Sequence, residues 1–390
     1  MAELLSFLIV ITAGLFLSEL FRKFHLPYVI GLIITGILIG PYVLNVIQVD
    51  ATIEFIGSIG LIFLMFMAGL QIRMSSLERL RGGVLKLSLL NGLLPFVVGF
   101  LVASYFGYSL LASFLLGIIF ISSSIAIVIP TLDANKLLGT RVGKTIVTAT
   151  VFEDVFSLVL LSIVLQTINP TTFLPLPIFY LVIFAIFFLL KNFIPKAKEM
   201  FFSEIKKKEH FFEQELRFIF VVLIGTVVLF ELLGMHSIIA GFFAGLILAD
   251  SIKSSALREK LHAISYGLFI PVFFIVIGTE TDITVFGSTN GALLLTAAIL
   301  IGSIGSKFAS GWLGGRLIGF SSSKSALIGS STIPQLSTTL AVAFVGYEFG
   351  LLDHRLITAM VILSIVTTFA GPLLMSRVCP ECRLPGKKRK

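Results

Sequence analysis

Apolar runs of membrane-span length recur along the whole chain, and this constrains the fold more than any other feature. A helix needs roughly 20 apolar residues to cross the hydrocarbon core of a bilayer, with about 17 as the lower limit. Thirteen such runs can be read, at about 4–21, 27–45, 54–71, 84–105, 110–132, 144–166, 172–194, 217–233, 236–252, 263–279, 288–314, 324–345 and 356–376. Residues of hydrophobic type make up 57% of the chain and charged ones 13%, a balance that a soluble core cannot hide. The expected class is an all-α polytopic membrane protein with thirteen transmembrane helices. The first run has no small-residue cleavage site after it, so it reads as a span and not as a cleaved signal.

The net charge of +8 invites a nucleic-acid reading, but the placement of the charges removes it. With the N-terminus outside, all but Lys307 and Arg355 of the 29 basic residues fall in inner connections or the tail. Positive charge is retained on the cytoplasmic side during insertion. The pattern therefore predicts a multi-pass protein of the cell membrane, N-terminus outside and C-terminus cytoplasmic, with no nucleic-acid partner. The two cysteines, Cys379 and Cys382, lie in that tail. They exclude a disulfide framework, and two thiols do not complete a zinc site unless it is shared across a dimer.

The chain divides into related halves. Six spans occupy 1–166, a linking helix and charged cytoplasmic linker 167–216, six more spans 217–378, and a tail 379–390. LPYVIGLIITGILIGP and MHSIIAGFFAGLILAD, the second spans of the two halves, lie about 209 residues apart, as do the third spans. An odd number of spans separates equivalent positions, so the second six-helix repeat enters inverted. Inverted repeats are a transporter signature. The fifth span of each half is interrupted by polar residues, at Ser122, Ser123 and Ser124 in the first. In the second, Ser330, Ser331, Thr332, Pro334, Gln335 and Ser337 do the same. Such interruptions free backbone groups that only protein or a hydrated cavity can satisfy at that depth. Crossed, broken helices around a midplane site are expected.

Four ionisable side chains fall well inside spans, away from their ends: Glu153, Asp154, Glu231 and Lys307. Each costs at least about 2–3 kcal/mol at the bilayer centre. Glu153 and Asp154 are adjacent, so they project about 100° apart and face different partners. Asp154 has Thr150 one turn earlier on the same face. With backbone carbonyls freed at Ser122, Ser123 and Ser124, and water, it forms a hard-oxygen set suited to a monovalent cation such as Na⁺. The same carboxylate binds a proton or the cation but not both well, and this competition couples their opposed movements. Lys307 is the one cation available inside the membrane to pair with Glu153, either as a structural pair or as part of the proton coupling.

These motifs resemble those of the monovalent cation:proton antiporters, particularly the second cation:proton antiporter group. FEDVFSLVLLSIV is similar to the (D/N/Q)-D motif, HLPYVIGLIITGILIGP to LPxVxGxxxxGxxxGP, and IGLIFLMFMAGL to GxxxLLFxxGLE. FELLGMHSIIAGFFAGLILA and FIPVFFIVIGTETD resemble two further segments, with Glu231 and Asp282 at their acids. The resemblance implies a core of crossed helices moving against a dimerising panel, a homodimer, and cation binding at Asp154. It also implies pairing of the first acid with Lys307 in electrogenic relatives. Glu153 is an uncommon occupant of that position. Gln71 and the PQLS of Pro334–Ser337 depart from the family pattern.

The expected function is alternating-access exchange of Na⁺, or of Li⁺ or K⁺, for H⁺, electrogenic through Glu153 and Lys307. No cofactor is called for beyond the transported Na⁺ and H⁺. Sodium-coupled uptake of an organic solute and an ion channel are the alternatives. An enzyme is not expected, since there is no HExxH motif and no Ser/His pair at the midplane. Glu231 reads as a packing residue or a functional one, and His25, His210, His236, His262 and His354 as surface groups or pH sensors.

Overall fold

Where an apolar run is free of Pro–Gly and hydroxyl clusters it folds as one long helix, and this rule orders most of the chain. The computed structural model describes residues 2–23, 27–72, 82–168, 175–202, 211–252, 254–288 and 291–378, and all regular structure among them is helical. The first half contains α1 (Ala2–Lys23), α2 (Tyr28–Ile39), α3 (Ala51–Gln71), α4 (Gly83–Tyr105), α5 (Leu110–Ile121), α6 (Ile125–Ala134) and α7 (Arg141–Ile168). The linking helix α8 (Leu176–Phe202) follows, then α9 (Phe211–Leu232), α10 (Ser237–Leu248) and α11 (Ser255–Ile264). After a π-helical turn at Ser265–Phe269 come α12 (Ile270–Thr279), the short α13 (Val285–Ser288) and α14 (Ala292–Leu317). The described residues end with α15 (Ser322–Ser331), α16 (Ser337–Glu348) and α17 (His354–Val378).

Helix lies within every one of the thirteen apolar segments. Among the described residues, nine helical stretches are long and apolar enough to cross a membrane by length and composition. α2 and α10 are shorter. In α2, Gly40 and Pro41 end the helix before the apolar run does. α8 extends to Phe202, past the expected end of its span at 194, so helix continues into what reads as linker in the sequence. The remaining linker residues 203–210, with His210, lie outside the described residues, as do His25, Cys379 and Cys382.

Two groups of helices emerge from the packing. α4–α7 pack with α14–α17, and α1–α3 pack with α8–α12. The second group is stitched by glycines that admit no side chain. A Cβ on Gly36 would lie 2.1 Å from the Ile275 carbonyl oxygen, and one on Gly278 2.3 Å from that of Ile33. The α3–α10 contact repeats this: Gly69 approaches the Phe242 carbonyl and Gly245 that of Phe66, each to 2.3 Å of the added carbon. Ile33, Gly36, Phe66 and Gly69 correspond to Phe242, Gly245, Ile275 and Gly278, every pair 209 positions apart. The two contacts are therefore the same contact made twice, with the partners exchanged.

The two groups touch at one end of the bundle. Tyr347 Oη donates to Glu280 Oε2 at 3.2 Å, Thr358 Oγ1 to the Asp282 carbonyl at 3.2 Å, and Gln166 Nε2 to the Gly234 carbonyl at 2.5 Å. Beside them Tyr108 reaches both carboxylate oxygens of Asp353 at 3.2 Å. Burial and that carboxylate push the Tyr108 phenol up, so it stays a donor. Towards the other end the groups part around a cavity of about 1290 Å³, bordered by Tyr28, Gln71, Ile125, Thr148, Tyr266 and Leu336.

Candidate ion-binding site

The site is built where the two broken helices cross. α5 stops at Ile121 and α6 starts at Ile125; α15 stops at Ser331 and α16 starts at Ser337. The last carbonyls of a helix have no partner within it, and in hydrocarbon they need one from elsewhere. Lys307 Nζ donates to the Ile121 carbonyl, and Gln335 Nε2 to that of Phe120 at 3.3 Å. A cation at a helix C-terminus also answers the negative end of its dipole. The interruptions then bind each other: Ser124 N donates to the Pro334 carbonyl at 2.7 Å, and the Ser122 and Thr339 hydroxyls lie 2.9 Å apart. Ser123 Oγ is 3.1 Å from the Thr332 carbonyl.

Glu153 and Asp154 leave α7 towards different surroundings. Glu153 and Lys307 are both fully buried, with Oε2 and Nζ 2.9 Å apart. The pair is densely served. Ser123 Oγ lies 2.5 Å from Glu153 Oε2 and accepts from Lys307 Nζ at 3.1 Å. Asn91 Nδ2 donates to Glu153 Oε1 at 2.5 Å. An ion pair taken out of water keeps its charges only with such extra hydrogen bonds.

Asp154, also buried, is differently placed. The Thr338 hydroxyl and the Ser123 N–H are its hydrogen-bonding neighbours, but Oδ1 has no partner. Thr150 Oγ1 and Ser124 Oγ are likewise buried without one. Such groups are costly when orphaned, at about 1–3 kcal/mol each. Of the residues singled out in the sequence, Asp154 thus keeps one unengaged oxygen, and the Thr150 and Ser124 hydroxyls are unengaged. Ser122 is held by Thr339, and Ser123 serves the ion pair. Unengaged hard oxygens around one carboxylate are a donor set that fits a small monovalent cation as transported substrate. The large cavity reaches Ile125 and Leu336 at the starts of α6 and α16, whereas Asp154 is not on its wall.

Two contributors, Asn91 on α4 and Ser310 on α14, escape a sequence reading that looks for charges and hydroxyl clusters. An asparagine in the run LLNGLLPF, whose side-chain amide must find partners in the membrane, was the available signal. Glu231 lies apart, exposed on α9 beside a cavity of about 210 Å³ that His236 also borders. His262 stacks on Tyr266 with ring centroids 4.3 Å apart, and His354 Nε2 lies 3.1 Å from Tyr347 Oη.

Comparison with known proteins agrees with this architecture. A family model described as the transmembrane sodium/hydrogen exchanger matches residues 7–378. The chain is 34% identical over 383 residues to the probable Na(+)/H(+) antiporter 3 of Methanocaldococcus jannaschii, covering 95% of each. It is 30% identical over 352 residues to the Na(+)/H(+)-K(+) antiporter GerN of Bacillus cereus, covering 90% of this chain and 89% of that one. Its fold superimposes on the sodium proton antiporter MjNhaP1 of Methanocaldococcus jannaschii with a TM-score of 0.71 at 18% identity, over 98% and 99% of the two chains.

Proposed function

Since the chain belongs to the sodium/hydrogen exchanger family, we propose that it is a secondary active antiporter, exchanging Na⁺ for H⁺ by alternating access at Asp154. The observation that carries this is the set of orphaned oxygens. Asp154 Oδ1, Thr150 Oγ1 and Ser124 Oγ are buried at the helix crossing with nothing to bond to. A cation bound there satisfies them, and a proton on Asp154 removes the charge that holds the cation. One carboxylate that takes either ion, but not both well, is sufficient for exchange when access alternates.

The packing of two helix groups supports a division into moving parts. Residues 1–166 and 217–378 act as inverted repeats joined by 167–216, and 379–390 forms a cytoplasmic tail. The bundle of α4–α7 and α14–α17 moves against the panel of α1–α3 and α8–α12. The closed end, with Tyr347 on Glu280 and Gln166 on the Gly234 carbonyl, is the outer one. The cavity opens to the cytoplasm, with the N-terminus outside. The apolar side chains that α1 and α8 leave exposed, such as Leu8, Phe16, Leu181 and Phe188, face lipid and a second copy in a homodimer. Glu153 and Lys307 cancel each other, so the cycle carries net charge when more than one proton exchanges for each cation. K⁺ transport is a second reading, favoured by the similarity to GerN.

The test is transport by purified protein in proteoliposomes under an imposed pH gradient, with Na⁺, K⁺ and Li⁺ in turn. Asp154→Asn is expected to abolish cation-driven proton movement while the protein stays folded. Exchange that persists in that variant removes Asp154 from the site. Transport that neither creates nor responds to a membrane potential rejects the electrogenic form.

A further inference from the structure

Gln71 stands where the resembled motif GxxxLLFxxGLE has its acid, and it is exposed on the wall of the large cavity between the helix groups. Lys144 borders the same cavity from α7, and Arg258 and His262 border it from α11. Among the described residues, no aspartate or glutamate does. The vestibule beside a cation site thus carries positive charge and no negative charge. Retention of basic residues on the cytoplasmic side accounts for lysine and arginine at this end, but not for the missing acids. Neither charge is cancelled nearby, since among the described residues no ion pair engages Lys144 or Arg258. Arg258 is held still by backbone instead: Nε donates to the Ile252 carbonyl at 2.9 Å and Nη2 to the Ala249 carbonyl at 3.1 Å. Same-sign walls of low dielectric focus their field and concentrate the opposite ion, which here is an anion. At about 1290 Å³ the cavity exceeds the roughly 300–1,000 Å³ of a small-molecule pocket, so a monatomic anion would meet one wall only. Several linked phosphoryl groups reach both walls, and their oxygens accept from guanidinium, ammonium and amide alike.

We infer that this cavity binds a multiply charged phosphate anion, held between Lys144 on one helix group and Arg258 and His262 on the other. Gln71 admits it because an amide, unlike the acid of the motif, does not repel it. Such a ligand fits only the state in which the cavity is open, so binding draws the population into that state and arrests exchange. The arrest rests on the alternating-access reading given above, whereas the binding does not. The phosphate belongs either to a soluble molecule or to a lipid headgroup. The second source has a place for its acyl chain: the cavity shares Tyr28 and Gly267 with an apolar crevice of about 120 Å³ between α1 and α12.

The full chain is titrated with sodium-free tripolyphosphate at constant ionic strength. Thermal unfolding in detergent reads binding, and Na⁺-driven proton movement in phosphatidylcholine proteoliposomes, with the anion on both sides, reads arrest. A saturable rise in unfolding temperature is expected, with transport falling at the same midpoint. Gln71→Glu adds a like charge and Lys144→Gln removes an anchor, so each should raise that midpoint about tenfold, the worth of one charged hydrogen bond. Transport is scored against each variant's own rate without the anion. Should either variant fail to fold, His262→Gln gives the same reading. Arg258 is left in place because it also caps the carbonyls that follow α10. A lipid source is shown by slower transport in vesicles containing phosphatidylglycerol, relieved by the same substitutions, when tripolyphosphate does nothing. Stabilisation matched by chloride at equal ionic strength, or a midpoint unmoved in the variants, overturns the site, as does no response to either phosphate source. Binding without any slowing of wild-type transport overturns the arrest. Asp154→Asn should bind tripolyphosphate with the wild-type midpoint while inactive. Exchange surviving in that variant defeats the antiport site alone, since the binding measurement does not depend on it.

Discussion

At the scale of residues, neighbours of the same chemical type have opposite surroundings. Glu153 is surrounded by donors, whereas Asp154 keeps an unpaired oxygen. The difference makes two opposed predictions. Lys307→Ala strands a buried carboxylate and the Ile121 carbonyl, and is expected to cost about 3–5 kcal/mol of stability. The double change Glu153→Gln/Lys307→Met removes both charges and should recover much of that loss, as detergent unfolding of the cycle would register. Thr150→Val, by contrast, removes a hydroxyl that bonds to nothing. It is expected to leave stability unchanged or raise it by about 1 kcal/mol. Its apparent KM for Na⁺ should rise about tenfold, because one ligand is lost. A stability loss without a change in KM would assign Thr150 to packing.

At the scale of elements, glycine decides how closely helices approach. Gly36 and Gly278 set α2 against α12, and Gly69 and Gly245 set α3 against α10, leaving no space for a Cβ. Substituting alanine at any of the four forces a pair of helices apart. We expect poor recovery of folded protein from each, and comparable losses within equivalent pairs, Gly36 with Gly245 and Gly69 with Gly278. Gly225 on α9 is the control, since a Cβ there meets nothing within 4 Å. Gly225→Ala should raise stability by about 1 kcal/mol through helix propensity alone. Size-exclusion profiles and melting curves of the five variants distinguish close packing from a general intolerance of alanine.

At the scale of the molecule, contact at one end and a cavity at the other describe a carrier with one side shut. Single cysteines at Ala126 and Thr148, both on the cavity wall, are introduced into a variant with Cys379 and Cys382 replaced by serine. A membrane-impermeant thiol reagent should label them from the cytoplasmic face of inverted vesicles and not from outside in right-side-out ones. A cysteine at Ser157, buried on α7, should resist labelling from either face. Labelling of 126 and 148 from outside would reverse the orientation assigned to the cavity.

The class of fold was legible from the chain alone, because spans in a bilayer must be long, apolar and helical. So were the repeat and the broken helices, since hydroxyl clusters and a proline at depth are costly anywhere except a site. Asp154 and Thr150 stood out as candidates through the cost of a buried charge and helical spacing, and Ser124 through the hydroxyl cluster that breaks its span. What tertiary structure alone decided is which oxygens remain free. Ser122, Ser123 and Ser124 look equivalent in sequence, yet one bonds to Thr339, one serves Glu153 and Lys307, and one is left unpartnered. Asn91 on α4 joins Glu153 across a separation of 62 residues, and Ser310 on α14 joins Asn91 across one of 219. Spacing along one helix carries no information about such partners, since a hydrogen bond depends on where a second helix has been brought.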